Sequence, residues 1–330
     1  MAVLLGEWAM NTLRLESSRV LVTGASGFMG SNLIPLLRPL VRELITPSRG
    51  DYDLLDQAAV RRMFATTRPD VVFHLAGLVG GIMANKKAPA DYSYQNLLMG
   101  TLMLQEAHAA GVGKYITLIG GCSYPAAAKT PIVEEDLWNG YPQVESAPYS
   151  TAKKMAVVLA QAYRAQHNFD AIVLVPGNVY GPHDNFDLEN SHVIPALIRK
   201  YHEAKTSGTR EVVAWGTGKP TRDFIYAADA CAGILKAARE YSGPEIINIS
   251  SGNAITIREL VETVAAVVGF EGTVTWDSTK PDGQMAKGFD VTRMRDWLQF
   301  TPSTSLRDGL EQTYRWFLAN ARTAKLKTAL

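Results

Sequence analysis

Arg19-Val20-Leu21-Val22-Thr23-Gly24-Ala25-Ser26-Gly27-Phe28-Met29-Gly30 decides the fold. The first five residues are an apolar, β-branched run of strand length, and Ser31 to Leu37 beyond the glycines are mostly apolar, as a buried helix requires. Strand, turn and helix follow one another directly. Glycines at 24, 27 and 30 permit a sharp turn, close approach of backbone N–H groups to a pyrophosphate, and tight helix-to-sheet packing. The helix N-terminus adds partial positive charge. A glycine-rich turn can also simply join a strand to a helix, so the loop needs supporting residues elsewhere. Pro35 predicts a kink or a late helix start.

Support comes from Tyr149 and Lys153, one helical turn apart near the start of a helix expected to run to about His167. A phenol at its ordinary pKa of ~10 is a poor base, and an adjacent ammonium is expected to lower that value and suit it to proton exchange with a carbonyl oxygen. Tyr201 and Lys205 repeat the spacing in a polar helix and are read as a solvated face. Order along the chain, after the glycine loop and the fourth strand, separates the two pairs.

Composition narrows the classes. With 330 residues and 47% apolar content the chain can bury a large core. Thirty-three basic residues against thirty-two acidic ones make no field for polyanions, so neither nucleic acid nor a membrane surface is an expected partner. Met1 to Met10 lacks a signal peptide's basic start, and no apolar run is long enough to span a bilayer. Two cysteines, Cys122 and Cys231, are too few for a disulfide framework and fit a reducing, cytoplasmic setting. Cys231, in an alanine-rich helix, reads as core packing.

Strand-like runs at Glu43 to Thr46, Val71 to Leu75, Lys114 to Ile119, Asp170 to Val175, Glu211 to Trp215 and Ile246 to Ile249 alternate with helical stretches. That alternation predicts an α/β fold, a Rossmann-type doubly wound parallel sheet with a smaller, mixed α/β substrate-binding lobe. The expected division is an N-terminal extension (1–18), a dinucleotide-binding Rossmann domain (19–177 and 225–252) and a second lobe (178–224 and 253–330). Polar loops at His183 to Asn190 and Lys280 to Lys287 mark the lobe. Leu97, Leu98, Met99, Leu102, Met103 and Leu104 make one helix apolar nearly all round, enough for core and for a homodimer interface.

The second strand ends at Thr46-Pro47-Ser48-Arg49, where a dinucleotide's adenosine ribose would lie. Arginine there favours the 2′-phosphate of NADP(H), although Asp51 or Asp53 could instead turn toward the ribose of NAD.

Val79-Gly80-Gly81-Ile82-Met83-Ala84-Asn85, Cys122-Ser123-Tyr124-Pro125, and Tyr180-Gly181-Pro182-His183-Asp184-Asn185-Phe186 followed by Asn190-Ser191-His192-Val193-Ile194-Pro195 complete the pattern. With them the sequence resembles the extended short-chain dehydrogenase/reductases, specifically the GDP-L-fucose synthases, from about Arg19 to Phe317. That resemblance implies conversion of GDP-4-keto-6-deoxy-D-mannose to GDP-L-fucose by epimerisation at C3 and C5 and reduction of the C4 ketone with NADPH. It implies Cys122 and His192 as the epimerisation acid and base, Tyr149 as proton donor to the C4 oxygen, and Lys153 as its partner and ribose anchor. Cofactor contacts are implied at Gly24, Ser26, Gly27, Phe28, Met29, Gly30, Arg49, Asp53, Leu54, Leu75, Ala76 and Gly77, and again at Pro176, Asn178, Val179, His192, Tyr149 and Lys153. Asn178, Lys200, Trp215, Arg222 and Lys287 are the implied contacts of the GDP-linked keto-deoxy sugar.

The chain departs from that pattern at Gly120, where such enzymes usually carry a serine whose hydroxyl helps bind the substrate carbonyl. Ser26 and Lys200 each stand where an arginine is usual. Gly120 leaves three readings open: the full epimerase and reductase, a relative that only epimerises or reduces another keto sugar, and a binding protein whose catalysis has lapsed. Backbone angles at Gly120 and Gly121 that oppose a Cβ, or room for a bulkier substrate, are the expected reasons for glycine there.

Overall fold

The computed structural model describes residues 13–188, 191–279 and 282–320. Most of the expected extension (1–12), Glu189 and Asn190, Lys280 and Pro281, and residues 321–330 lie outside the described residues. In chain order the first half comprises β1 (Arg19–Thr23), α1 (Phe28–Leu37), β2 (Glu43–Ile45), α2 (Gln57–Thr67), β3 (Val71–His74), α3 (Ile82–Lys87), α4 (Pro89–Ala109), β4 (Lys114–Leu118), α5 (Ala147–His167) and β5 (Ala171–Pro176). The second comprises β6 (Asn178–Tyr180), α6 (Val193–Ser207), β7 (Glu211–Trp215), β8 (Thr221–Tyr226), α7 (Ala227–Glu240), β9 (Ile247–Ile249), β10 (Ala254–Thr256), α8 (Ile257–Val268), β11 (Thr273–Asp277), β12 (Ala286–Lys287), α9 (Thr292–Leu298) and α10 (Leu306–Asn320).

Six strands form one parallel sheet in the order β2-β1-β3-β4-β5-β9. Val71, Val72 and Phe73 of β3 are fully buried, as expected of a strand covered on both faces. One face carries a core of Leu21, Val72, Met103, Tyr115 and Val157 beneath α2, α4 and α5. The other packs Val22, Leu33, Ile116, Ile234 and Leu298 beneath α1, α7 and α9. Cys231 is buried in this second core, where burial pushes its thiol up to about 12, as its reading as packing requires.

The chain moves one way from β1 to β2 and the other way to β3, so the order reverses at the β1/β3 seam. Thr23 pairs with His74 at the end of that seam, and the two strands leave the sheet side by side at Gly24 and Leu75. In open parallel sheets this is where ligands bind.

Three expectations change. Pro35 neither delays nor ends α1, which begins at Phe28, earlier than Ser31. A proline lacks only its own N–H bond back toward residue 31, and one missing bond is tolerated when Leu33 and Leu37 are fully buried around it. Glu211 to Trp215 is a strand but stands apart from the main sheet, paired in parallel with β11. Tyr201 is fully buried, its ring 5.3 Å from Phe270, while Lys205 donates to the Val268 carbonyl at the C-terminal end of α8, so this pair of α6 is core and a cap of α8 and not a solvated face. The strands of residues 178–287 that alternation did not reveal pair β8 with β6, β10 and β12 around a third core of Tyr180, Ile198, Phe224, Leu260 and Leu310. Among the described residues no helix is long and apolar enough to cross a membrane.

Candidate active site

Gly24 adopts φ +71°, and a Cβ placed there would lie 2.7 Å from the Ala76 nitrogen. Glycine is required on both counts. A Cβ on Gly30 would meet the Ala25 Cα at 2.6 Å, so the first turn of α1 lies directly on the loop. Gly27 caps the helix, which opens with unpaired backbone N–H groups facing the seam. This cradle fits a pyrophosphate: it has backbone donors, helix-end charge, and no side chain where the phosphates would sit.

A cleft of ≈ 220 Å³ runs from the cradle along the seam. Gly24, Ser26, Arg49, Asp53, Leu54, Ala76 and Gly77 line it, as expected of cofactor contacts. Met29, Leu75 and Val179 pack partly against the α1/α7 core. The Asp51 carboxylate accepts from both the N–H and the hydroxyl of Ser48, which holds its pKa below the usual carboxylate range. Asp53 caps the Leu55 N–H. With both acids engaged in their own loop, Arg49 is the charged group presented to the cleft beside Ser48.

Beyond β4 the chain turns through Gly120, Gly121 and Cys122. Pro148 in the first turn of α5 starts the helix that delivers Tyr149 and Lys153, and Asn168 in the left-handed region ends it. An atom placed as a Cβ on Gly120 would sit 3.1 Å from Cys122 Sγ and 3.8 Å from Tyr149 Oη. Cys122 and Tyr149 therefore flank one point. The Tyr149 ring is buried edge-on against Tyr92, with centroids 6.3 Å apart.

The electrostatics differ from the sequence expectation. Burial, then the charge of Cys122, then Tyr92 raise the Tyr149 phenol above its ordinary pKa, so Lys153 does not lower it. Desolvation also brings Lys153 down to about 8, with Cys122 pulling upward. Taking two neighbouring groups out of water outweighs their mutual attraction. The result is a phenol that keeps its proton, as a donor must. His74, beside Lys153, is buried with Nδ1 2.8 Å from Thr23 Oγ1 and is pushed down to about 3, first by burial and then by Lys153. It is neutral and adds no charge to the site.

Ser123 is fully buried in a 3-10 turn, Gly121–Ser123, with its hydroxyl directed at the Ser150 carbonyl at 3.5 Å. Gly120 has ordinary extended angles (φ −82°, ψ 151°), so its backbone does not oppose a Cβ. At Gly121 the obstacle is a side chain and not a left-handed backbone: a Cβ there would lie 2.5 Å from the Phe289 ring. Phe289 in turn is held by the bonds Ile132 N–H to Gly288 O and Asp290 N–H to Ile132 O. Two residues earlier, Lys287 pairs in register with Arg222 of β8. Burial lowers both of these cations, and the charge of Cys122 pulls Lys287 back upward.

Further from Cys122, Gly283 packs near the Arg222 guanidinium, while Asp282 accepts from the N–H and hydroxyl of Thr217, just after Trp215. Lys200 donates to the Val213 carbonyl in the same strand as Trp215. The Asn178 amide donates to the Asp223 carbonyl at 2.7 Å. The implied substrate contacts are thus linked from Trp215 through Arg222 and Lys287 to Cys122. His192 is 57% exposed, with Nδ1 4.0 Å from the nearly buried Asp184, whose carboxylate raises the imidazole's pKa. Its partner in the structure is Asp184; Asp184, His74 and Phe289 are site residues that the pairwise motifs did not single out, although Asp184 stands inside a quoted stretch.

Comparison with known proteins follows the same lines. Residues 20–250 match the model of the NAD dependent epimerase/dehydratase family. GDP-L-fucose synthase 1 of Arabidopsis thaliana is 44% identical over 309 residues, covering 92% of this chain and 94% of that one. GDP-L-fucose synthase of Escherichia coli (strain K12) is 40% identical over 316 residues, covering 93% and 98%. The crystal structure of a GDP-L-fucose synthetase from Naegleria fowleri bound to NADP is 28% identical and superposes with a TM-score of 0.87, covering 96% and 98%. With the cradle at the sheet's switch point and Cys122 and Tyr149 flanking one point beyond β4, this chain belongs to the NAD dependent epimerase/dehydratase family, in its GDP-L-fucose synthase branch.

Proposed function

We propose that the chain is an NADPH-dependent epimerase and reductase that converts GDP-4-keto-6-deoxy-D-mannose to GDP-L-fucose. The observation that carries this reading is the meeting of Cys122 and Tyr149 at Gly120, with Lys153 and Lys287 within electrostatic reach of the cysteine. A ketone at C4 acidifies the protons on C3 and C5, so a thiol and an imidazole on opposite sides can remove and return them through an enolate. Cys122 and His192 fill those roles, with Asp184 holding the imidazole. NADPH, bound along the glycine cradle, supplies the hydride for C4. Tyr149 gives its proton to the C4 oxygen, and its raised pKa keeps that proton available.

Residues 19–177 and 225–252 act as the NADP(H)-binding unit, with Arg49 on the 2′-phosphate. Residues 178–224 and 253–330 act as the sugar-nucleotide lobe, with Lys200, Trp215, Arg222 and Lys287 along the GDP moiety. Tyr94 and Leu97 on α4 and Met155 and Val158 on α5 leave an exposed apolar face on two packed helices, which supports a homodimer. The two unpaired cysteines support a cytoplasmic setting.

Incubation with GDP-4-keto-6-deoxy-mannose and NADPH in heavy water, followed by NMR of the product, tests the activity. Oxidation of NADPH with deuterium at C3 and C5 is expected. Deuterium alone would leave an epimerase, and neither would refute the reading. Gly120 favours one second reading, reduction of a related GDP-linked keto sugar with more bulk near the carbonyl, because neither the backbone nor a hard clash demands a glycine there.

A further inference from the structure

A ketone about to become an alkoxide is stabilised most by two hydrogen-bond donors aimed at its oxygen. Tyr149 is one. The second is not obvious, because the neighbouring hydroxyls are committed elsewhere. Ser123 faces the Ser150 carbonyl, Thr117 faces the His74 carbonyl at 3.4 Å, and Thr23 holds the His74 ring at 2.8 Å. The point beside Gly120 is different. An atom there lies 3.1 Å from Cys122 Sγ and 3.8 Å from Tyr149 Oη, and glycine leaves it open. An acceptor oxygen reaching this point meets both groups.

We propose that Cys122 is the second donor in the reduction, its S–H hydrogen-bonding the same ketone oxygen that Tyr149 protonates. This rests on the reading of Cys122 and Tyr149 given above and adds a second task to the cysteine. In the first stage the sulfur exchanges protons with carbon. In the second it keeps its proton and donates only a hydrogen bond, while hydride goes to C4 and the Tyr149 proton to oxygen. The two tasks fix an order: exchange must close with the thiol restored, because a thiolate has nothing to donate. A negative sulfur would also hold the Tyr149 proton more tightly. The charged and titratable groups facing Cys122 are Tyr149 and Lys153 of α5 and Lys287 of β12, with Tyr92 of α4 behind Tyr149 and Arg222 of β8 behind Lys287.

The test compares wild type, Cys122→Ala, Gly120→Ser and the double variant, each checked for NADPH binding by fluorescence titration to show that the cleft is intact. Two further readouts are NADPH oxidation with the 4-ketone already epimerised at C3 and C5, so that loss of the first stage does not starve the second, and deuterium uptake at C3 and C5 of GDP-4-keto-6-deoxy-mannose without NADPH. Cys122→Ala should lose deuterium uptake and also slow NADPH oxidation by about 10²-fold, the typical cost of one donor to an oxyanion. In the double variant the serine should recover most of the oxidation rate and none of the uptake. Unchanged oxidation in Cys122→Ala would overturn the proposal while leaving the reading of the site intact. So would a slow double variant that binds NADPH normally. A wild type that neither exchanges nor oxidises would overturn the underlying reading itself.

Discussion

At the β1/β3 end of the cleft the wall is mostly backbone from one contiguous stretch: Gly24 to Gly30 turns against Ala76, and the missing side chains are what shape it. Around Gly120 the chemistry comes from side chains of the turn after β4, of α5 and of β12, segments far apart in sequence and brought together by the packing of Tyr92, Tyr149 and Cys122 and by the Phe289 contact. The first end needs only local chain geometry and suits any dinucleotide. The second needs the whole fold, and its chemistry depends on how strongly each group is desolvated.

Three substitutions exploit that contrast. Tyr149→Phe removes a donor whose absence no local geometry can repair, and ketone reduction should fall by ~10²- to 10⁴-fold. Deuterium exchange at C3 and C5 should survive, because Cys122 and His192 remain. Equal loss of both would show that the two stages are not divided as described. At the other end, Arg49→Ala should weaken NADPH binding by roughly 1.5 to 3 kcal/mol, the range for hydrogen bonds to charged groups, and leave NADH almost unaffected. Titration of both cofactors decides it; a matching loss for NADH would mean that Arg49 supports the loop and not the phosphate.

The smallest change is expected from Asp184→Asn. Asp184 holds the His192 imidazole above its ordinary pKa, so neutralising the carboxylate lowers that pKa. Proton exchange that needs the imidazolium should then decline at lower pH than in wild type, with little difference in acid. An alkaline limb that does not move would remove His192, or its pairing with Asp184, from the mechanism.

The same contrast explains what could be read from the chain alone. The glycine loop and the Tyr149/Lys153 pair follow from spacing, since each lies within one strand-turn-helix unit or one helical turn, and the parallel sheet follows from the alternation of strands and helices. β6, β8, β10 and β12 escaped notice because strands of two to six residues carry little alternation, and their partners are distant in sequence. Tyr201 shows the limit of polarity as a guide: its helix looks solvated, yet Phe270 and α8 cover it. The direction of the Tyr149 shift was misjudged for a related reason. A neighbouring ammonium is visible in sequence, whereas complete burial by Tyr92, Cys122 and the helix is not.

Phe289 has a consequence for how this enzyme could be shortened or divided. The family match ends at residue 250, and a fragment cut there would retain the glycine cradle, the cysteine, the tyrosine and every strand of the main sheet. It would lose the ring on which Gly121 rests and, with it, Lys287. The catalytic turn would then have no floor. In a library of chimaeras, the turn at 120–122 and the segment at 286–289 have to be inherited from the same parent, although more than a hundred and sixty positions lie between them.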